Sequence, residues 1–411
     1  MANALITPTV IAKRALMNLD NNLVMGNLVY RDYDSEFGPT KIGDTVTIRR
    51  PNDFTVTDGA TLSIQDHTEG SLTMQISKRK HISFVFSDSD LTMTVDDFDK
   101  RYIKPAAIQL ANQIDVDLMT AAYQATNNWV GTPGQTINSH ADFLKAVERL
   151  DVLAVPQGDR AAVLSPNDHH GLAGNFSGIY IQGVAGDALK QGKLPMIGGV
   201  DPYMTQNVAA HTVGAHGGTP LVRGAAQNVT YASVKTTMTQ TFQTDGWTVD
   251  SGLKAGDVFT IAGVYDVNPV TKATLPHLKQ FVITTDVTTT NPNTNATVLT
   301  IYPAIISSGA YQNVSAAPAD NAAITYVGTA STIYPQNLVF HRNAYALAMV
   351  PIAQAPSGAG VSQSTERYKG LSLQWSAQYD ITNARMIYRL DAMYGVKAID
   401  PRLGVRASGT S

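Results

Sequence analysis

Residues 7–24, TPTVIAKRALMNLDNNLV, place Ile11, Ala15, Leu19 and Leu23 four positions apart, which lays one apolar stripe along a helix. Thr7 suits the N-cap and Pro8 the first turn. The polar stretch that follows, YRDYDSEFGPT, marks this helix as an arm reaching away from its own core. The stripe of Ile11, Leu19 and Leu23 is therefore expected to find its groove on a neighbouring subunit or a scaffold. Over residues 41–87 the pattern changes to alternation. TVTIRRP and LTMQISKRKHISFVFS read as a long strand pair around a turn-rich tip, NDFTVTDGATLSIQDHTEG. Residues 95–124 return to helical spacing through Tyr102, Ala106, Leu110, Ile114 and Leu118, and Pro105 is where the helix kinks or restarts.

Further along, SHADFLKAVERLDVLAVP predicts a helix over 139–156, with Ser139 and Asp142 in capping-box spacing and Phe143, Val147 and Leu150 on one face. RAAVLSP is a short buried strand, and LPMIGGVDPYMTQN a glycine-broken loop and strand. The composition then shifts. Residues 226–335 hold 21 Thr, no Arg and no Glu, so β-branched residues punctuated by Gly, Asn and Pro predict a separate β-domain. NLVFHRNAYALAMVPI (337–352) reads as helical and mixed, and LSLQWSAQYDITNARMIYRLDAMYGVKAIDP as closing strands. The segments flanking the β-domain then form one core, and the β-domain is an insertion. KIGDTVTI (41–48) and KAGDVFTI (254–261) share a glycine-aspartate turn before a strand, but their flanks differ. They are two independent turn-to-strand starts and not a duplicated unit.

At 411 residues, the chain exceeds what one core usually supports, and two or three domains are expected. A hydrophobic content of 44% excludes disorder, and no apolar run approaches the roughly 20 residues of a membrane span. Lys13 and Arg14 interrupt any secretory signal pattern. The absence of cysteine removes disulfides, thiolate metal sites and cysteine nucleophiles together. A net charge of −3 gives no general attraction to nucleic acid.

Candidate chemistry is sparse. GDALKQGKL (186–194) spaces its glycines one residue too far apart for a phosphate loop and has Leu194 where a hydroxyl should stand. SGAG lacks the third glycine of a dinucleotide loop. His169 and His170 diverge in direction and read as a surface pair after Pro166. DSDLTMTVDDFD (88–99) lacks the glycine and glutamate of a calcium loop and reads as helix capping. Asp115 and Asp117 fall on different faces of a helix. No catalytic residue, metal site or cofactor is expected.

Basic charge gathers on the extended arm at Arg49, Arg50, Lys78, Arg79 and Lys80. On an alternating strand Lys78 and Lys80 share one face while Arg79 and His81 share the other. An intersubunit role outranks nucleic-acid binding here, and Arg79 is expected to make ion pairs with a neighbouring copy.

The order of these parts resembles the major capsid proteins of tailed double-stranded DNA bacteriophages, within the group that carries an inserted β-domain. The resemblance rests on RDYDSEFGPTKIGDTVTIRRP, LPMIGGVDPYMTQN, KAGDVFTIAGVYDVNP, NLVFHRNAYALAMVPI and RLDAMYGVKAIDPRLGVR. It implies an α+β chain with the Hong Kong phage-type capsid fold and an inserted β-barrel-like domain. The parts would be an N-terminal arm (1–40), an extended β loop (41–90) and a peripheral domain with the spine helix (91–138). An axial domain in two pieces (139–225 and 336–411, the second with the closing strands) would flank the insert (226–335).

The resemblance also implies self-assembly as hexamers and pentamers into an icosahedral shell. Such a shell encloses double-stranded DNA without sequence-specific binding, works with a portal protein, and is assembled in the bacterial cytoplasm before forming the virion. An arm helix that starts within ten residues implies maturation without removal of a large leader, and a separate scaffolding protein. The rival readings are an encapsulin-like compartment, which would lack the β-insert, and a β-rich adhesin or carbohydrate-binding protein, which would not need the spine helix.

Overall fold

The structure is a computed structural model that describes residues 8–33, 45–50, 52–60, 62, 64, 68–87, 99–176, 194–289, 296–356 and 360–410. The phosphate-loop-like segment up to residue 193, the acidic run 88–98, most of SGAG, Thr7, and Gly43–Asp44 of the first glycine-aspartate turn lie outside these residues. The chain forms two compact units. One comprises Met1–Val46, Thr73–Leu118 and Tyr345–Lys397; the other comprises Thr47–Leu72, Met119–Ala344 and Ala398–Ser411.

In the first unit the arm helix, Pro8–Asn22, packs on two strands of its own chain, Val361–Tyr368 and Leu371–Asp380. Ala12, Ala15, Leu16, Leu19 and Leu23 are buried there and Ile11 is half-buried. This corrects the expectation that the stripe awaits a neighbouring chain. The sequence predicted the stripe from its spacing, but the surface that receives it is made by residues about 350 positions away, which no local pattern reveals.

That surface is an antiparallel sheet. Leu371–Asp380 runs between Val361–Tyr368 and Arg385–Ala398, and the basic strand Lys78–Ser87 pairs along Arg385–Tyr394. Phe84 and Phe86 of the basic strand join Tyr102, Trp375 and Tyr388 in one aromatic cluster, with ring centroids 4.7–6.0 Å apart. The long helix, Lys104–Ala125, follows a π-helical turn at Asp99–Ile103 and carries Pro105 in its first turn, where the missing N–H costs nothing. The proline therefore marks a start and not a kink. The extended segment expected as one strand is broken at Ile76–Ser77 into Ser71–Gln75 and Lys78–Ser87. Ser71–Gln75 pairs with Thr45–Arg49.

The second unit holds two main sheets. The first runs Trp129–Val130, Gly404–Ala407, Asn337–His341, Arg160–Leu164, Val200–Met204. Helices His140–Val152 and Pro166–Phe176 accompany it, and Phe143, Val147, Leu150, Leu172, Val339 and Val405 share its core. The Ser139 hydroxyl accepts the Asp142 N–H at 3.1 Å, as the capping spacing predicts. Asn337–His341 and Tyr345–Val350 are strands joined by a 3₁₀ turn, where a helical and mixed segment was expected. Nearly every residue of both is buried, so the run shows no period by which a strand could be told from a helix. His169 is buried and only His170 is exposed, which corrects the reading of a surface pair. Burial, helped by the neighbouring His170, holds the His169 ring below the usual histidine range.

The second sheet runs Ile324–Tyr326, Val258–Val267, Thr274–Ile283, Thr297–Tyr302, Gln240–Trp247, Gly218–Val222. Phe242, Trp247, Phe259, Phe281, Leu299 and Ile301 fill its core. Its strand Val258–Val267 begins at the second glycine-aspartate turn. Gly256 has φ +100° and lies so close to the Tyr123 ring that a Cβ would sit 3.0 Å from it. Asp257 is buried and accepts N–H groups from Gly214 and Lys254, and its Oδ1 lies 2.8 Å from His211 Nε2. Arg406, also fully buried, donates to the Gly256 carbonyl at 2.8 Å and lies over the rings of Tyr123 and Trp129.

Because Leu19 is spent inside the chain, Leu19→Ala should destabilise the unassembled protein by about 2–5 kcal/mol, the usual cost of a buried leucine truncation. Denaturant unfolding of the unassembled chain measures this. A loss below about 0.5 kcal/mol would mean that the helix is undocked before assembly.

Candidate assembly surface

The strand pairing fixes where the basic residues point. Lys78 and Lys80 leave the same side of their strand and reach one carboxylate, Asp117 of the long helix, at 3.4 and 3.7 Å. The Tyr394 hydroxyl donates to the same Asp117 oxygen at 2.7 Å. Burial alone would raise the Asp117 carboxyl, but the Tyr394 hydrogen bond and the two ammonium groups outweigh it and hold the group below the usual range. Arg79, on the other side, donates from Nε to Asp391 at 3.1 Å, and Arg389 holds the same carboxylate. Asp391 is buried and the Arg79 side chain is half exposed. The alternation read from the sequence holds. Arg79 has its counter-ion in its own chain, because the antiparallel register brings Asp391 opposite His81 and hence diagonal to Arg79.

Arg49 and Arg50 lie at the base of the extended loop. Arg49 is 79% exposed and pairs with Glu69 at 3.3 Å, a contact that solvent makes weak. The Arg50 N–H donates to the Gly70 carbonyl at 2.9 Å and closes the loop. Gly70 passes so near the Lys235 carbonyl that a Cβ would stand 2.3 Å from it, so only glycine fits.

Just past this point Tyr311 takes hold of the loop. Its hydroxyl accepts the Asp53 N–H at 3.1 Å and donates to Asn52 at 3.2 Å. The Tyr311 ring stacks on Tyr231 with centroids 3.4 Å apart, and burial together with the Tyr311 hydroxyl pushes the Tyr231 phenol up to about 12. Asp53 also lies 3.8 Å from Arg402, whose guanidinium is fixed by Asp400.

Beyond this anchored base the loop presents Phe54, Val56, Leu62 and Ile64 to solvent, with Val56 97% and Leu62 83% exposed. Single exposed apolar residues are ordinary, but here four stand on one short segment. The sequence reading passed over these residues as a turn-rich tip. The usable signal was the i, i+2 spacing of Phe54 with Val56 and of Leu62 with Ile64, which places each pair on one side of an extended chain.

Among the described residues no group of three histidine, aspartate or glutamate side chains could hold a metal ion. No helix among them is long and apolar enough to cross a membrane.

Comparison with known proteins identifies the chain. Residues 1–409 match the family described as "P22 coat protein - gene protein 5". No curated protein sequence matches the chain. Among solved structures it is similar to "Mycobacterium phage Che8" at 15% identity, covering 93% of this chain and 90% of that one, with a TM-score of 0.48. It is also similar to "Capsid of Ralstonia phage GP4" at 9% identity, over 90% and 85% of the two chains, with a TM-score of 0.43. A third, "CUS-3 coat protein I-domain", is 30% identical over 28% of this chain and 98% of that one, with a TM-score of 0.20. With the family model spanning nearly the whole length, the chain belongs to the P22 coat protein family, and it is a structural major capsid protein and not an enzyme.

Proposed function

We propose that copies of this chain assemble as hexamers and pentamers through the extended loop, building the icosahedral shell around double-stranded phage DNA. The observation that carries this reading is the row of exposed apolar side chains, Phe54, Val56, Leu62 and Ile64, on a loop whose base is tied down by Tyr311, Tyr231 and Gly70. A tethered base presents the row in one orientation, and each apolar side chain that a neighbour covers contributes about 1.5–3 kcal/mol. A contact between two different patches of identical subunits closes into rings when its rotation allows, which is how one chain builds capsomers. Arg49 and Arg50 flank this contact as rim charges.

Residues 226–335 are the inserted β-domain in this reading, supported by the composition break. Assembly in the bacterial cytoplasm would draw on a scaffolding protein, and a portal protein would occupy one vertex. The net charge of −3 keeps packaged DNA from adhering to the wall in general.

Two substitutions separate the assembly surface from the fold. Leu62→Asp should leave the melting temperature of the unassembled protein unchanged, and closed shells should disappear from electron micrographs. Wild-type shell yield in this variant would sink the loop as the contact. Arg79→Glu should instead act on the chain itself. It sets a carboxylate beside buried Asp391 and should cost the unassembled protein about 1–2 kcal/mol, where reversing a solvated arginine costs less than about 0.5 kcal/mol. Calorimetry before assembly distinguishes these two outcomes.

A further inference from the structure

The arm helix Pro8–Asn22 passes into the short helix Met25–Leu28, whose N-cap, Val24, offers no side chain to its first N–H groups. The N–H groups at this junction are met from the long helix. Asp115 Oδ2 accepts the Val24 N–H at 2.8 Å and Oδ1 accepts the Gly26 N–H at 2.9 Å. Asp115 is completely buried in this position. Gly26 allows the approach, since a Cβ there would press on Leu23 at 3.1 Å and on Asp115 at 3.4 Å.

Among the described residues, the charged groups on the surrounding elements are engaged elsewhere or lie at exposed positions. On the arm, Asp20 is held by Lys369 at 3.3 Å and lies 3.9 Å from Arg31, while Lys13, Arg14 and Asp32 are exposed. On the long helix, Lys104 is exposed and Asp117 takes Lys78, Lys80 and Tyr394. Glu366 and Arg367 lie near the end of the strand Val361–Tyr368, just before Lys369. Among the described residues, Asp115 therefore faces backbone amides and apolar side chains, with no cation close enough to balance it.

We propose that Asp115 is a pH-sensitive latch on the N-terminal arm, which docks residues 8–29 more firmly in mild acid than at neutral pH. The geometry gives the reason. A carboxylate sealed beneath the arm has lost its water, and undocking the arm returns it. Burial pushes the Asp115 carboxyl up to about 6, and the amides of Val24, Gly26 and Met25 only partly offset this. Once exposed, the same group would titrate near 3.9.

A docked pKa above the undocked one means that protonation favours docking. The stabilisation is complete below about pH 4 and is lost as pH rises through about 6. Between pH 5 and 7.5 the docked-to-undocked ratio should fall about tenfold. At neutral pH the ionised latch leaves the arm the more readily released part of its unit, held by its apolar stripe and by the backbone pair of Tyr30 with Tyr345 and Leu347.

Hydrogen exchange on the unassembled full-length protein tests this, with rates corrected for the intrinsic pH dependence of amide exchange. Protection of the Val24 and Gly26 amides and of the arm helix should fall about tenfold from pH 5 to 7.5 and level off above about 6. Amides paired between Leu371–Asp380 and Arg385–Ala398 should not follow. In Asp115→Asn the profile should be flat. A flat profile in the wild-type protein overturns the proposal, and so does an unchanged slope in the variant. If the variant does not fold, the carboxyl carbon resonance of Asp115 in the wild-type protein decides: a midpoint near 6 supports the latch, and one near 4 overturns it.

Discussion

The second unit turns on one buried cation. Arg406 has no exposed surface, and leaving such a charge in a dry interior is costly unless its surroundings satisfy it. Its guanidinium donates to the Gly256 carbonyl and lies between the faces of Tyr123 and Trp129, each 5.5 Å away. A planar guanidinium suits this site because it can stack on the rings and donate at once. The contacts gather the end of the long helix, the short strand at Trp129, the closing strand Gly404–Ala407 and the turn that opens strand Val258–Val267. Asp257, next in that turn, gathers the Gly214 and Lys254 amides and the His211 ring. The two sheets of the unit therefore share a polar joint whose members are far apart in the chain.

Local chemistry made part of this legible in the sequence. The Ser139 cap, the opposed faces of Lys78–Lys80 and Arg79, and the diverging carboxylates Asp115 and Asp117 all follow from the period of a helix or strand, and each is present in the structure. The α+β phage-capsid character was legible from the order of the parts, and the family match supports it over nearly the full length.

Residues whose meaning depends on a distant partner were not legible. Leu19 and Leu23 show the same stripe whether the receiving surface is in their own chain or in another. Arg79 projects from its strand as predicted, but Asp391 is more than 300 positions away. Asn337–His341 is buried on both faces, which erases the period that tells a strand from a helix. The Thr-rich composition starts at 226, while the edge strand of the six-stranded sheet is Gly218–Val222, because an edge strand can keep the composition of its surroundings.

If copies meet through the extended loop as proposed, the stacked pair Tyr231–Tyr311 at its base has a consequence for how errors are corrected during growth of a shell. A floppy loop would lose much conformational entropy on each capture, so it would need a larger apolar tip to compensate, and larger tips stick indiscriminately. With its root already ordered, a modest tip suffices, and each individual contact stays short-lived. Misplaced subunits can then leave before neighbours trap them, while a correctly seated subunit is retained by several such contacts acting at once. In these terms the tyrosine stack acts as a timing element, lowering the threshold at which weak, reversible encounters become a closed lattice.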